Sequence, residues 1–210
     1  MPGSTRRGTR AMGRRRIGRA LRGLLVLSAF AALGSCSSTP EGPPRAQGDI
    51  CTIFEERPAW REAMVASSAR WGAPVAVQMA IIWRESSFRA EARTPRTYAL
   101  GVIPTGRVSS AYGFAQAIDG TWEWYRDDSG NGRADRTDFE DAADFVGWYM
   151  AKTESTNGIP MNDAFNQYLA YHEGHTGYRR GGWRGKGWLR RIAGQVEAQA
   201  QLYDAQLAEC

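Results

Sequence analysis

Glu85 is the residue whose type and position most directly suggest chemistry. Counted along a helix, Val77, Ile81 and Glu85 fall at i, i+4 and i+8, and Ile82 lies three residues before the glutamate. The carboxyl therefore belongs to an apolar stripe rather than a solvated face. It also lies near the end of its helix, where the macrodipole disfavours a negative charge. Both effects favour the protonated acid, the state a general acid needs. The alternative is a structural glutamate paired with Arg84 or Arg89, and on periodicity alone that paired glutamate is the commoner case.

Other constellations hold less. Asp127 to Asp138 reads DDSGNGRADRTD, with Asp127, Ser129, Asn131, Asp135 and Asp138 at positions 1, 3, 5, 9 and 12 of an approximate calcium loop and glycine at position 6. The bidentate glutamate usual at position 12 is missing, and the alternative is an Asp/Gly turn leading into a capped helix. The only histidines, His172 and His175, lack the H-E-x-x-H spacing, so no metal site is assigned. No G-x-S-x-G and no phosphate-binding glycine loop occurs. Trp122, Trp124, Tyr178 and Trp183 offer rings that could stack on sugars or simply fill a core.

The elements that must position these residues are helical and punctuated by proline and glycine. Pro58 to Trp71 reads as a helix with proline at its first position, stopped by Gly72, and Pro74 begins the next, which runs to Glu85. Residues 89–112 lack periodicity and form a long loop or small hairpin. Thr121 is expected to cap a short aromatic helix, Thr137 with Glu140 to form a capping box ahead of Phe139 to Met150, and Asn162 to cap a helix through Tyr171. A glycine-rich stretch, 174–187, precedes a last helix from Trp188 to about Leu207, with Leu189, Ile192, Val196 and Tyr203 along one face. The fold class is mostly α.

Local motifs add to that reading. Glu85-Ser86-Ser87-Phe88 resembles the E-S-S-F signature of the lytic transglycosylases, the branch of the lysozyme superfamily related to goose-type lysozyme. Tyr112-Gly113-Phe114-Ala115-Gln116-Ala117 resembles the family's G-L-M-Q-I block, Gly147-Trp148-Tyr149-Met150 its G-x-x-Y-L helix end, and Ala170-Tyr171-His172-Glu173-Gly174 its A-Y-N-A-G motif. The blocks occur in order over about 55–175. The resemblance implies a single lysozyme-like domain, residues 50–210, that binds peptidoglycan glycan strands and needs no cofactor. It implies that Glu85 is the acid/base, that Tyr171 orients it, and that Ser86, Gly113, Gln116 and His172 line the sugar cleft. The expected reaction is cleavage of the MurNAc-GlcNAc β-1,4 bond to 1,6-anhydroMurNAc ends. A muramidase-type hydrolase and a non-catalytic peptidoglycan-binding lipoprotein are the alternatives. Departures are His172 for Asn, Glu173 for Ala and Ala115 for a bulky Met, the last expected to widen the cleft floor.

The net charge of +5 comes from the N-terminus. Residues 1–35 hold eight arginines and no acid; the rest of the chain carries 19 bases and 22 acids, a net charge of −3. Nucleic acid is therefore not an expected partner. The arginine-rich start, the apolar stretch Gly23 to Leu33 and the Leu33-Gly34-Ser35-Cys36 sequence resemble a bacterial lipoprotein signal, residues 1–35, with Cys36 lipidated. Residues 36–49 are expected to form a flexible tether. By that resemblance the protein is anchored in the outer membrane and faces the periplasm, where envelope proteins are candidate partners. Cys51 and Cys210 bracket the domain, and in an oxidising compartment a disulfide joining them is expected to stabilise by about 4 to 5 kcal/mol on the chain-entropy model.

Overall fold

The computed structural model describes residues 42–210, so Cys36, the signal segment 1–35 and the first residues of the expected tether lie outside the described residues. Seven helices and one antiparallel strand pair follow in order: α1 (Ile50–Glu56), α2 (Pro58–Trp71), α3 (Val75–Ser86), β1 (Arg96–Ala99), β2 (Ile103–Arg107), α4 (Asp119–Ser129), α5 (Phe139–Asn157), α6 (Ala164–Arg179) and α7 (Gly187–Leu207). The mostly helical fold class agrees with expectation, and segment 89–112 holds a small hairpin.

α2 starts on Pro58 and stops at left-handed Gly72. α3 is nearly all buried, from Ala76 through Ile82, and Ser86 is buried at its end. It stops at Ser87 and Phe88, both left-handed although neither is glycine (φ 52° and 58°). Such conformations cost on the order of 1–3 kcal/mol each. Phe88 offsets this by burying its ring against Trp60, 5.7 Å between centroids. Trp60 also stacks on Phe139 at 3.9 Å, which ties the end of α3 to α2 and α5. α5 runs through the centre, and Gly147 lets it approach α2 closely: a Cβ there would strike Ser67 Oγ and lie 2.9 Å from Trp71 Cδ1.

Several caps differ from expectation. α5 is capped by Asp138, whose carboxylate accepts from the amides of Glu140 (2.8 Å) and Asp141 (3.1 Å). Thr137 instead donates its hydroxyl to Asp135. α6 is capped by Asp163 rather than Asn162, and continues past Tyr171 across a non-helical Gly174 (φ 73°, ψ 157°) to Arg179. α4 begins at Asp119 with no side-chain cap, so Thr121 lies inside it. Asp138 accepts from two successive amides, whereas Asp163 accepts from one, that of Asn166 (3.0 Å).

α1 was not foreseen. It is capped by Asp49 and buries Ile50, Ile53 and Phe54. The segment before it was expected to be free tether, yet from residue 42 it is tied to the fold. Arg57 donates to the Gly42 carbonyl (3.0 Å), Gln47 to that of Ser87 (3.3 Å), and Tyr203 to that of Gln47. The sulfurs of Cys51 and Cys210 lie at bonding distance, 2.05 Å.

Candidate active site

Glu85 sits in the last turn of α3, half-buried, at one side of a cleft of about 410 Å³. Residues from four places face it: Thr94 and Ser109 at the base of the hairpin, Gln116 and Thr121 beyond it, Phe145 and Tyr149 from α5, and Tyr171 to Gly174 from α6.

Burial pushes the Glu85 carboxyl up to about 7; a hydrogen bond from the Tyr168 hydroxyl and the charge of Arg84 act in the opposite sense. Arg89, the other pairing candidate, turns its Nε to the Ser86 carbonyl (3.0 Å). Near neutral pH the carboxyl is thus shared between its acid and its conjugate base, the condition for a group that must first give a proton and then take one.

Tyr171 lines the cleft, but its hydroxyl donates to the Ala115 carbonyl at 2.6 Å, so its one proton is committed there. Tyr168, one turn earlier on α6, is the tyrosine whose hydroxyl acts to lower the pKa of the Glu85 carboxyl, while the charge of Glu85 raises those of both Tyr168 and Tyr171. Tyr168 reads as core in the sequence and is in fact 3% exposed. The signal that could have found it is the i, i+3 relation to Tyr171, which places both rings on one helix face. Tyr149 and Phe145 were likewise not expected in the cleft.

Ser86 and Gly113 do not line the cleft. Ser86 is buried and donates back to the Ile82 carbonyl (3.2 Å), a helix-end hydroxyl bond. Gly113 is left-handed (φ 82°) and presses against the backbone of Arg136, where a Cβ would collide with the carbonyl; the close approach it allows is internal. Gln116 does line the cleft, held by two bonds of 2.8 Å from its amide nitrogen to the carbonyls of Ala92 and Gly113. Those bonds leave its carbonyl oxygen as its polar group for a ligand. Ala115 is buried and contributes its carbonyl, so it does not widen the floor.

His172 lies on the rim, its Nδ1 3.1 Å from Glu173. Glu173 is a second carboxylate in the cleft wall. Its side chain is 7% exposed and held by Lys186 at 2.7 and 3.0 Å. Burial opposes its charge, but Lys186 and His172 outweigh burial and hold its pKa below the usual range. His175 stands behind the cleft, stacked on Tyr149 at 4.5 Å.

The approximate calcium loop is split between structures: Asp127 and Ser129 lie in the last turn of α4, and the residues from Gly130 to Asp138 form the turn into α5. Asp135 accepts from Thr137, Asp138 caps α5, Asn131 donates to Asp141 (2.8 Å) and Ser129 accepts from the Asn131 amide. Among the described residues no group of three or more acidic, His or Cys side chains is placed to hold a metal. Trp122, Trp124, Tyr178 and Trp183 are not in the cleft wall; Trp122 is core, and Tyr178 and Trp183 stack on each other at 5.7 Å.

A family model described as a transglycosylase SLT domain matches residues 24–210. No curated protein matches the chain.

Proposed function

The chain belongs to the transglycosylase SLT-domain family, and from that premise we propose that it cleaves the MurNAc-GlcNAc β-1,4 bond of peptidoglycan with Glu85 as acid and then base. Protonated Glu85 gives its proton to the glycosidic oxygen as the C1–O bond breaks. The 2-acetamido group of the muramyl residue carries the developing positive charge, which dispenses with a second carboxylate. The 6-hydroxyl of the same sugar then attacks C1, and ionised Glu85 takes its proton. No water is consumed, and the product ends in 1,6-anhydroMurNAc.

The observation that carries this reading is a glutamate raised to about 7 by burial at the wall of a cleft. Gln116, Tyr171 and His172 are the cleft groups we assign to sugar binding. A muramidase reading draws on Glu173, which also faces the cleft. Its oxygens are engaged by Lys186 and His172, which argues against its serving as free base or nucleophile. We further assign Cys36 to a lipid anchor in the outer membrane, with the domain on the periplasmic side and a Cys51–Cys210 disulfide formed in that oxidising space.

The test is mass spectrometry of peptidoglycan digested by residues 38–210, beside Glu85→Gln. Anhydromuramyl products that vanish in the variant are expected. Reducing-end products would move the assignment to hydrolysis, and no products from either protein would leave a binding role.

A further inference from the structure

The hairpin is exposed throughout, and its chemistry is graded along its length. Every residue from Pro95 to Val108 is exposed. Leu100 is 90% exposed, Val102 76%, Val108 70%, Ile103 53% and Tyr98 52%. Leu100 and Gly101 form the turn, closed by a bond from the Val102 amide to the Ala99 carbonyl (3.2 Å), and both are left-handed. Such a turn favours asparagine or glycine at both positions. A bare leucine there is against local preference and buries nothing, so folding of the chain does not account for it.

Charge follows the same axis. Residues 92–118 contain Arg93, Arg96 and Arg107 and no acid, although the chain after residue 35 is net negative. Arg96 and Arg107 are cross-strand partners at the open end of the hairpin, Tyr98 stands opposite Pro104 midway, and the aliphatic residues form the tip. At about 3.3 Å per residue the tip lies about 13 Å beyond the arginine pair. Cation, then tyrosine, then aliphatic side chains is the order met on entering a bilayer through anionic headgroups, interface and acyl chains.

We propose that the 96–107 hairpin is a membrane-docking finger that seats Leu100, Val102 and Ile103 in the interface of an anionic bilayer, with Arg96 and Arg107 at the phosphates. Thr94 and Ser109, at the hairpin base, line the cleft. Docking would therefore hold the cleft at a set height, about 20 Å above the inserted tip. The proposal does not depend on the reaction assigned to the cleft, nor on a lipid at Cys36.

The test uses unlipidated residues 38–210, which contain the whole buried core and both remaining cysteines. Binding is measured by co-sedimentation with phosphatidylglycerol/phosphatidylethanolamine vesicles and with phosphatidylcholine vesicles. The expected result is binding to the anionic vesicles that weakens with salt. It should fall at least tenfold in Leu100→Asp/Val102→Asp and several-fold in Arg96→Glu. A Leu100→Trp variant should shift its emission to the blue on vesicle addition. Both charge variants should keep the wild-type melting temperature and the wild-type rate on soluble peptidoglycan fragments. Absence of vesicle binding, or binding indifferent to the tip substitutions, would overturn the proposal. So would a wild-type dimer that the Leu100→Asp/Val102→Asp variant converts to monomer, since the tip would then be serving a second copy of the chain.

Discussion

At the scale of the residue, Glu85 couples stability to activity through one proton. Its folded value of about 7 exceeds the ordinary 4.5, so the native state holds the proton more tightly than the unfolded chain does. The contribution of Glu85 to stability is therefore fully present below about pH 4.5 and is lost as pH rises through 7, by about 3 kcal/mol in all. Glu85→Gln, which cannot ionise, should be more stable than the wild type above pH 7 and gain nothing at pH 4; denaturant unfolding at the two pH values checks this. Turnover should fall about tenfold per pH unit above 7, because only the protonated acid can start the reaction. Tyr168→Phe removes a hydrogen bond that favours the ionised form, so the falling limb of its pH profile should move to higher pH. Its kcat should drop by about 10- to 100-fold, the range for one lost hydrogen bond to a charged group. A tyrosine that merely filled space would change stability and leave the limb in place. Glu85 was legible in the sequence because a charge on an apolar stripe breaks a pattern. Tyr168 was not, because an aromatic on such a stripe continues it, and only the fold shows where its hydroxyl ends.

At the scale of the element, proline and glycine marked the boundaries of α2 and the start of α3, because those residues fix φ or permit the left-handed stop. Caps were read one residue off at Thr137 and Asn162, since in each case the adjacent aspartate is as good a cap and sits at the position that faces the free helix amides. The hairpin lacked alternation because both its faces are exposed, and alternation records a difference between faces. The α2–α5 contact was invisible for a different reason. It rests on Gly147, whose missing side chain admits Ser67, and the Ser67 hydroxyl bonds the Ala143 carbonyl and Gln78 (both 2.8 Å). Gly147→Ala would gain helix propensity if α5 stood alone. In the fold the added methyl should force the helices apart and cost about 1–3 kcal/mol, and a urea midpoint lowered rather than raised is the result that checks it.

At the scale of the whole molecule, the two ends of the domain are held together over 159 residues of sequence. Gln206 accepts from the Ile50 amide (3.0 Å) and donates to Gly48 (3.1 Å), Arg61 reaches the Cys210 carbonyl (3.1 Å), and Tyr203 bonds Gln47. These bonds join α1, the segment before it and α2 to α7 and the C-terminus, and α7 in turn packs against α3, the helix that carries Glu85. A covalent link at Cys51–Cys210 would act on the unfolded chain, by closing a loop that is otherwise free to expand, and the native contacts would be little changed by its loss. Cys51→Ser/Cys210→Ser should accordingly fold and retain most of its activity at 25 °C. Its melting temperature should fall by about 10 °C, the shift that about 4 kcal/mol produces in a domain of this size. The same fall should follow when the wild type is melted with a reductant, and the double variant should be indifferent to that reductant. An unchanged midpoint in both would mean that the hydrogen bonds of Gln206, Tyr203 and Arg61 alone close the domain.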